Sequence, residues 1–298
     1  MSSAITLEDS EKQSAALTSL LAAVGLTAFK IVIGILTGSL GILAEAAHSG
    51  LDLVAAGMTL VAVRISGRPA DRSHLYGHGK IENLSALGET LLLLLTCAWI
   101  VRESAHRLLF HRIEIQVTAW SFAVMLTSIA TDISRSRVLA RAARKYKSQA
   151  LEADALHFRT DIWSSLVVVL GLIAVKAADW YPPLAFLRQA DALAALAVSV
   201  LVVWVSARLG RRTIDALMDR APEGMEERIL AVVEGVPGVR NCHNLRMRYS
   251  GPVLFIDLHV LVDGAQSLSQ AHELTETVER AIQELAPQAD ITVHPEPY

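Results

Sequence analysis

Apolar residues run through this chain in six long blocks, near 15–37, 40–63, 83–101, 115–134, 153–175 and 190–209, with short polar stretches between them. A helix needs about 20 apolar residues to cross the hydrocarbon core of a bilayer, so each block predicts a transmembrane helix. Some blocks are interrupted by charge: Lys30 lies in the first, Glu89 in the third, and Asp132 closes the fourth. Beyond Arg212 the period changes. Pro222 is read into the first turn of a helix carrying Met225, Ile229, Val232 and Val233, which Val236-Pro237-Gly238-Val239 ends. Leu245, Met247 and Tyr249 alternate with Arg246 and Arg248, the period of a strand, and Ser250-Gly251-Pro252 reads as a turn. In 253–262, Leu254, Ile256, Leu258, Val260 and Val262 share one face and leave Asp257 and His259 on the other. Ala271, Leu274, Val278, Ile282 and Leu285 stripe a second helix, and Ile291 and Val293 close with a short strand.

These elements predict three parts: a polar cytoplasmic segment at 1–14, an all-α six-helix transmembrane domain at 15–212, and a cytoplasmic domain at 213–298. The last has the order α-β-β-α-β, an α+β, ferredoxin-like arrangement. Its core is small for its length, so a partner surface or a metal is expected to help hold it.

Composition agrees with a membrane protein: 52% of the 298 residues are hydrophobic. The net charge of −3 points to no nucleic-acid partner. Cys97 and Cys242 lie in segments of different character, which argues against a disulfide, and the polar start carries no cleavable signal pattern. The connections 64–80 and 135–147 are rich in Arg and Lys, as is the end of the sixth block with Arg208, Arg211 and Arg212. The opposite connections are poorer, the first little more than Gly38-Ser39 and the others holding Arg107, Arg112, Lys176 and Arg188. The excess of cations on one side puts both termini in the cytoplasm.

The chemistry sits inside the second and fifth blocks. His48 and Asp52 lie in AHSGLD, and His157 and Asp161 in LHFRTD. Each pair is spaced i, i+4, so both side chains leave the same helical face one turn apart. Each pair also lies about ten residues into its block from one membrane face, which at about 1.5 Å per residue is near the middle of a ~30 Å core. Two antiparallel helices thus offer four ligands at one height. A carboxylate at that depth costs about 2.5–3.5 kcal/mol, which a lone hydrogen-bonding pair does little to explain twice over. Two imidazoles and two carboxylates in a tetrahedron suit Zn²⁺, whereas Ca²⁺ and Mg²⁺ prefer six or more oxygens. Cd²⁺, Co²⁺, Fe²⁺ and Ni²⁺ also fit such a set. Histidine must lose its proton to ligate, so metal binding releases protons.

AHSGLD, PADRSHLYGHGKIE and LHFRTDIWSS together resemble the cation diffusion facilitator family of metal/proton antiporters, and the likeness extends over nearly the whole chain. The resemblance implies a homodimer in a bacterial inner membrane that alternates between inward- and outward-facing states and exports divalent cations in exchange for protons. His48, Asp52, His157 and Asp161 match the family's transport site, in the His/Asp form of zinc transporters. The resemblance further implies an inner-loop metal site at Asp71, His74 and His78. It implies a binuclear cytoplasmic site at His243, His259, His272 and His294, with Glu296 where the family commonly has Asp. Cys242 is read as a bystander. Lys80 and Asp219 match an ion pair near the membrane surface.

Two other classes are weighed. An intramembrane metalloprotease would want HExxH, but after His272-Glu273 the chain has Glu276 where the second histidine belongs, so no enzyme is expected. A membrane-anchored zinc sensor would bind the metal and not move it.

Overall fold

The computed structural model describes residues 2–38, 40–110, 119–180 and 190–298. The chain divides into two units, Met1–Gly67 with Ile81–Thr213, and Arg68–Lys80 with Ile214–Tyr298.

Among the described residues the first unit is built from six long helices: α1 (Ser2–Thr37), α2 (Leu40–Ser66), α3 (Lys80–Phe110), α4 (Ala119–Tyr146), α5 (Gln149–Trp180) and α6 (Ala190–Leu217). Five of them contain one of the apolar blocks and outrun it, and α4 takes up the fourth block from Ala119 and runs on past its end. α1 already begins at Ser2, so most of the segment read as a polar tail at 1–14 is helical. An apolar block measures the thickness of the membrane, while a helix stops only where capping or a breaker stops it. Three of the described helices are long and apolar enough to cross a membrane, over Leu7–Thr37, Glu45–Ser66 and Lys80–Trp99. The start of the predicted fourth span (115–118) and the connections carrying Arg112 and Arg188 lie outside the described residues.

α1 packs on α2 and α4, and α4 on α5. Their shared core holds Phe158, Leu139, Leu151 and Val63 among Ala16, Ala62, Ala143, Ala150 and Ala155. Alanines let helix axes come close where there is no hydrophobic gain between helices to drive them together. The GxxxG at Gly34 and Gly38 divides its work. A side chain at Gly34 would run into Leu43 of α2, while Gly38 takes φ +62° just past the end of α1. Leu17, Leu21, Ile31 and Ile35 of α1 and Leu91, Leu95 and Trp99 of α3 are exposed, an apolar surface of the kind a bilayer covers.

The second unit follows the predicted order: α7 (Met225–Glu234), β1 (Asn241–Ser250), β2 (Val253–Val262), α8 (Leu268–Leu285) and β3 (Asp290–Pro297). The sheet order is β1-β2-β3, with β1 antiparallel and β3 parallel to β2. The parallel pair needs a crossover, which α8 supplies from a capping box in which Ser267 and Gln270 bond reciprocally. Ile256, Leu258 and Val260 of the central strand pack against Ile229 and Val233 of α7 and Val278 and Ile282 of α8. Pro222 is not inside α7. The helix starts at Met225 after Gly224 with φ +71°, and the Pro222 carbonyl accepts from the Met225 amide at 3.4 Å.

The segment 68–80 belongs to this second unit. Tyr76 sets its ring edge-on to Phe255 at 5.2 Å and lies under the Arg248 guanidinium at 4.1 Å. The Ser250 hydroxyl donates to the Tyr76 carbonyl at 3.3 Å. Gly79 passes so near the β1–β2 turn that a Cβ on it would stand 2.5 Å from the Ser250 carbonyl oxygen. No other residue type fits that approach.

Candidate functional site

α2 and α5 bring the two intramembrane pairs together. His157 Nε2 lies 3.1 Å from Asp52 Oδ1 and 3.4 Å from Asp161 Oδ2. His48 Nε2 lies 4.0 Å from Asp161 Oδ1 and is half-exposed, whereas the other three are buried. Ligand atoms of Asp52, His157 and Asp161 all fall within 4.8 Å of one another, the span of one cation's donor shell, with His48 at its rim. The i, i+4 spacing brings His157 to Asp161 on one helix, and the packing of α2 on α5 supplies Asp52. Beside the site, Lys30 of α1 donates to Ser49 Oγ at 2.7 Å and to Glu45 at 3.3 Å. In the sequence Lys30 stands only as an interruption of the first apolar block. Its signal was a cation deep in an apolar block.

In the 68–80 segment, Asp71 meets both histidines: Oδ1 is 3.5 Å from His74 Nδ1 and Oδ2 is 3.4 Å from His78 Nε2. The imidazole centroids are 4.4 Å apart, and the three ligand atoms lie within 4.8 Å of one another. Asp71 also accepts from the Ser73 hydroxyl and from the Ser73 and His74 amides at 2.7–2.8 Å. Those bonds, the Ser73 hydroxyl first, hold its carboxyl well below the usual carboxylate range. The loop is therefore bent around an ionised oxygen that faces two imidazoles.

The third cluster lies on the sheet. His243, His259 and His294 are register partners across β1, β2 and β3, so three imidazoles stand in one row, and Glu296 follows two residues on along β3, on the same face. His259 Nδ1 donates to Glu296 Oε1 at 2.8 Å, and His243 Nε2 is 3.1 Å from Oε2. His294 Nε2 is 3.9 Å from Oε1. The bond from His259 holds the Glu296 carboxyl below its ordinary range against the opposing effect of desolvation. A register shift between His243 and Arg246, with Asn244 at φ +50°, re-aims β1 at this point. His272 is not brought to the row. It stands on the exposed side of α8, 72% accessible, 3.6 Å from Glu276. Cys242 turns the other way, into the core, and burial pushes its thiol up to about 11.

Lys80 Nζ lies 2.7 Å from Asp219 Oδ1, and Arg248 is 3.6 Å from the same carboxylate's other oxygen. Both Lys80 and Asp219 are more than a third exposed, 36% and 38%. Lys80→Ala is therefore expected to lower stability by less than about 1 kcal/mol in thermal unfolding of the full chain, with a smaller effect at high salt.

Two family profiles match the chain: one described as Cation efflux transmembrane domain over residues 16–218, and one described as Cation efflux protein, cytoplasmic domain over 221–298. Among curated proteins it is similar to the cation-efflux pump FieF of Serratia proteamaculans, 34% identical over 286 residues, covering 96% of this chain and 92% of that one. The cation-efflux pump FieF of Cronobacter sakazakii is also 34% identical, covering 95% and 92%. Among solved structures, MamM-CTD 215-293 is 34% identical over 26% of this chain and 98% of that one, with a TM-score of 0.24.

Proposed function

Because this chain belongs to the cation efflux family, that of the cation diffusion facilitators, we propose that it exports a divalent cation, Zn²⁺ foremost, from the cytoplasm in exchange for protons. Convergence of Asp52, His157 and Asp161, with His48 at the rim, is the observation that carries this reading. The dication takes the place of the contacts between the carboxylates and the imidazoles and cancels both negative charges. A mixed nitrogen and oxygen set favours Zn²⁺ over Ca²⁺ and Mg²⁺, with Cd²⁺, Co²⁺, Fe²⁺ and Ni²⁺ as weaker rivals. Because each imidazole must be unprotonated to ligate, protons arriving from the far side expel the metal. Ligands drawn from two helices permit alternating access, since a relative movement of α2 and α5 opens the set to either side. Four protein ligands leave no open position for a catalytic water, in keeping with a carrier and not an enzyme.

The wider proposal is a homodimer in a bacterial inner membrane, with six spans, both termini in the cytoplasm, and a ferredoxin-like αββαβ domain inside the cell. The loop triad Asp71, His74 and His78 is a second metal site, and the histidine row with Glu296 a third. The test is the unmutated protein in liposomes with a zinc-sensitive dye and an imposed pH gradient. Zinc is expected to move against the protons. Binding without flux would instead mark a zinc sensor.

At the sheet site, replacing His259 and His294 together by alanine removes two of the three imidazoles. Zinc is expected to raise the unfolding temperature of the cytoplasmic domain in the parent, and to lose most of that effect in the double variant while transport persists. An unchanged zinc stoichiometry in the variant would remove this row from the list of metal sites.

A further inference from the structure

Inside the helical unit lie charged groups that the metal sites do not use. Arg135 of α4 is buried, its guanidinium 3.4 Å from the Phe158 ring centroid. It lies 3.5 Å from Asp132 and donates to Ser19 Oγ at 3.2 Å, and Ser19 in turn donates to Asp154 Oδ2 at 3.5 Å. The guanidinium charge is thus spread between Asp132 and Asp154. Glu89 of α3 has no such share. Its side chain is fully buried. Its partners are hydroxyls, Thr59 of α2 donating at 2.5 Å and Ser85 at 3.4 Å, both to Oε1.

The other oxygen of Glu89, Oε2, is buried with no hydrogen-bond partner, and so is Oδ1 of the fully buried Asp154. The two side chains come from helices that meet at this level. Ala86, one turn before Glu89, packs with Ala153, the neighbour of Asp154, and with Leu209 of α6. Asp154 and His157, both on α5, are among the charged groups whose fields reach Glu89. Those that reach Asp154 include Arg135, His157 and Asp52. A dry site does not keep a carboxylate such as Glu89 ionised with a partnerless oxygen and no paired cation.

We propose that Glu89 holds a proton in the metal-free protein and is a proton-binding site for counter-transport, separate from the four metal ligands. A proton on Oε2 makes Glu89 a donor and removes one of the two buried negative charges. Asp154 precedes His157 by one helical turn, so a dication arriving at the metal site raises the positive field at the pair and drives the proton off. Loss of the dication draws it back. The inference rests on the proton-coupled reading given above.

The experiment is infrared difference spectroscopy of the full chain in detergent, before and after zinc, with the protons released per bound zinc measured in weak buffer. The unmutated protein should lose a protonated-carboxyl C=O band when zinc binds. Glu89→Gln should lack that band and release about one proton fewer per bound zinc. Thr59→Val keeps both carboxyls and removes the 2.5 Å bond, and should shift the band. A band that persists in Glu89→Gln, or one that does not move in Thr59→Val, overturns the proposal. If the unmutated protein binds zinc and releases no proton, the antiport reading itself fails. If it releases protons and Glu89→Gln releases as many, only the role of Glu89 fails.

Discussion

Asp161→Ala protein, reconstituted in liposomes with a pH gradient and a zinc-sensitive dye, is expected to move no zinc above the background of protein-free vesicles. Asp161 touches both imidazoles of the site, His157 at 3.4 Å and His48 at 4.0 Å, and so joins the two pairs. Removing it takes away one of two carboxylates and leaves a dication with a net charge to bury. Loss of a group that only supports a metal ligand costs about 10–100-fold in affinity, so loss of the ligand itself should exceed about 100-fold. His157→Ala should act as strongly, since its ring bridges Asp52 and Asp161. Either variant transporting at the parent rate would refute the site, provided the protein elutes as a single folded species.

The second large effect falls on the cytoplasmic domain. Ile256 is fully buried on the middle strand, paired with Met247 on one side and Ile291 on the other. Ile256→Ala should cost about 2–5 kcal/mol, a transfer loss plus the cavity left in a core that has few ways to collapse. Even the lower figure multiplies the unfolded population about 30-fold, a tenfold change for each ~1.4 kcal/mol. Limited proteolysis of the full chain should then show cleavage within 214–298 accelerated to that degree. A variant that resists protease like the parent would mean that the strand is not the keystone of this core.

Much of this was legible in the amino-acid pattern for physical reasons. The i, i+4 pairs His48/Asp52 and His157/Asp161 are local geometry, and their equal depth follows from counting residues in a helix. The strand faces of β2 follow from a period of two, and the structure buries Leu254, Ile256, Leu258, Val260 and Val262 as expected. Less legible were features that depend on packing. The family resemblance places His272 with the other histidines, whereas in this chain it stands exposed on α8 beside Glu276 and outside the cluster formed by His243, His259 and Glu296. Glu89 was visible as a charge in an apolar block, yet its bond to Thr59 joins two helices and cannot be read from either one. Pro222 fits a first helical turn, and it was Gly224, with its positive φ, that moved the start of the helix.

Tyr76 and the hairpin serine that binds its carbonyl are 174 residues apart along the chain. At a synthesis rate of about 5–20 residues per second, the loop leaves the ribosome on the order of ten seconds or more before its seat exists. During that interval Tyr76 lacks the Phe255 ring edge and the Ser250 hydroxyl that hold it. The strands made last thus complete a stretch of chain made near the beginning, and a message cut short before Val253 would leave that stretch without its seat, a ready mark for quality control.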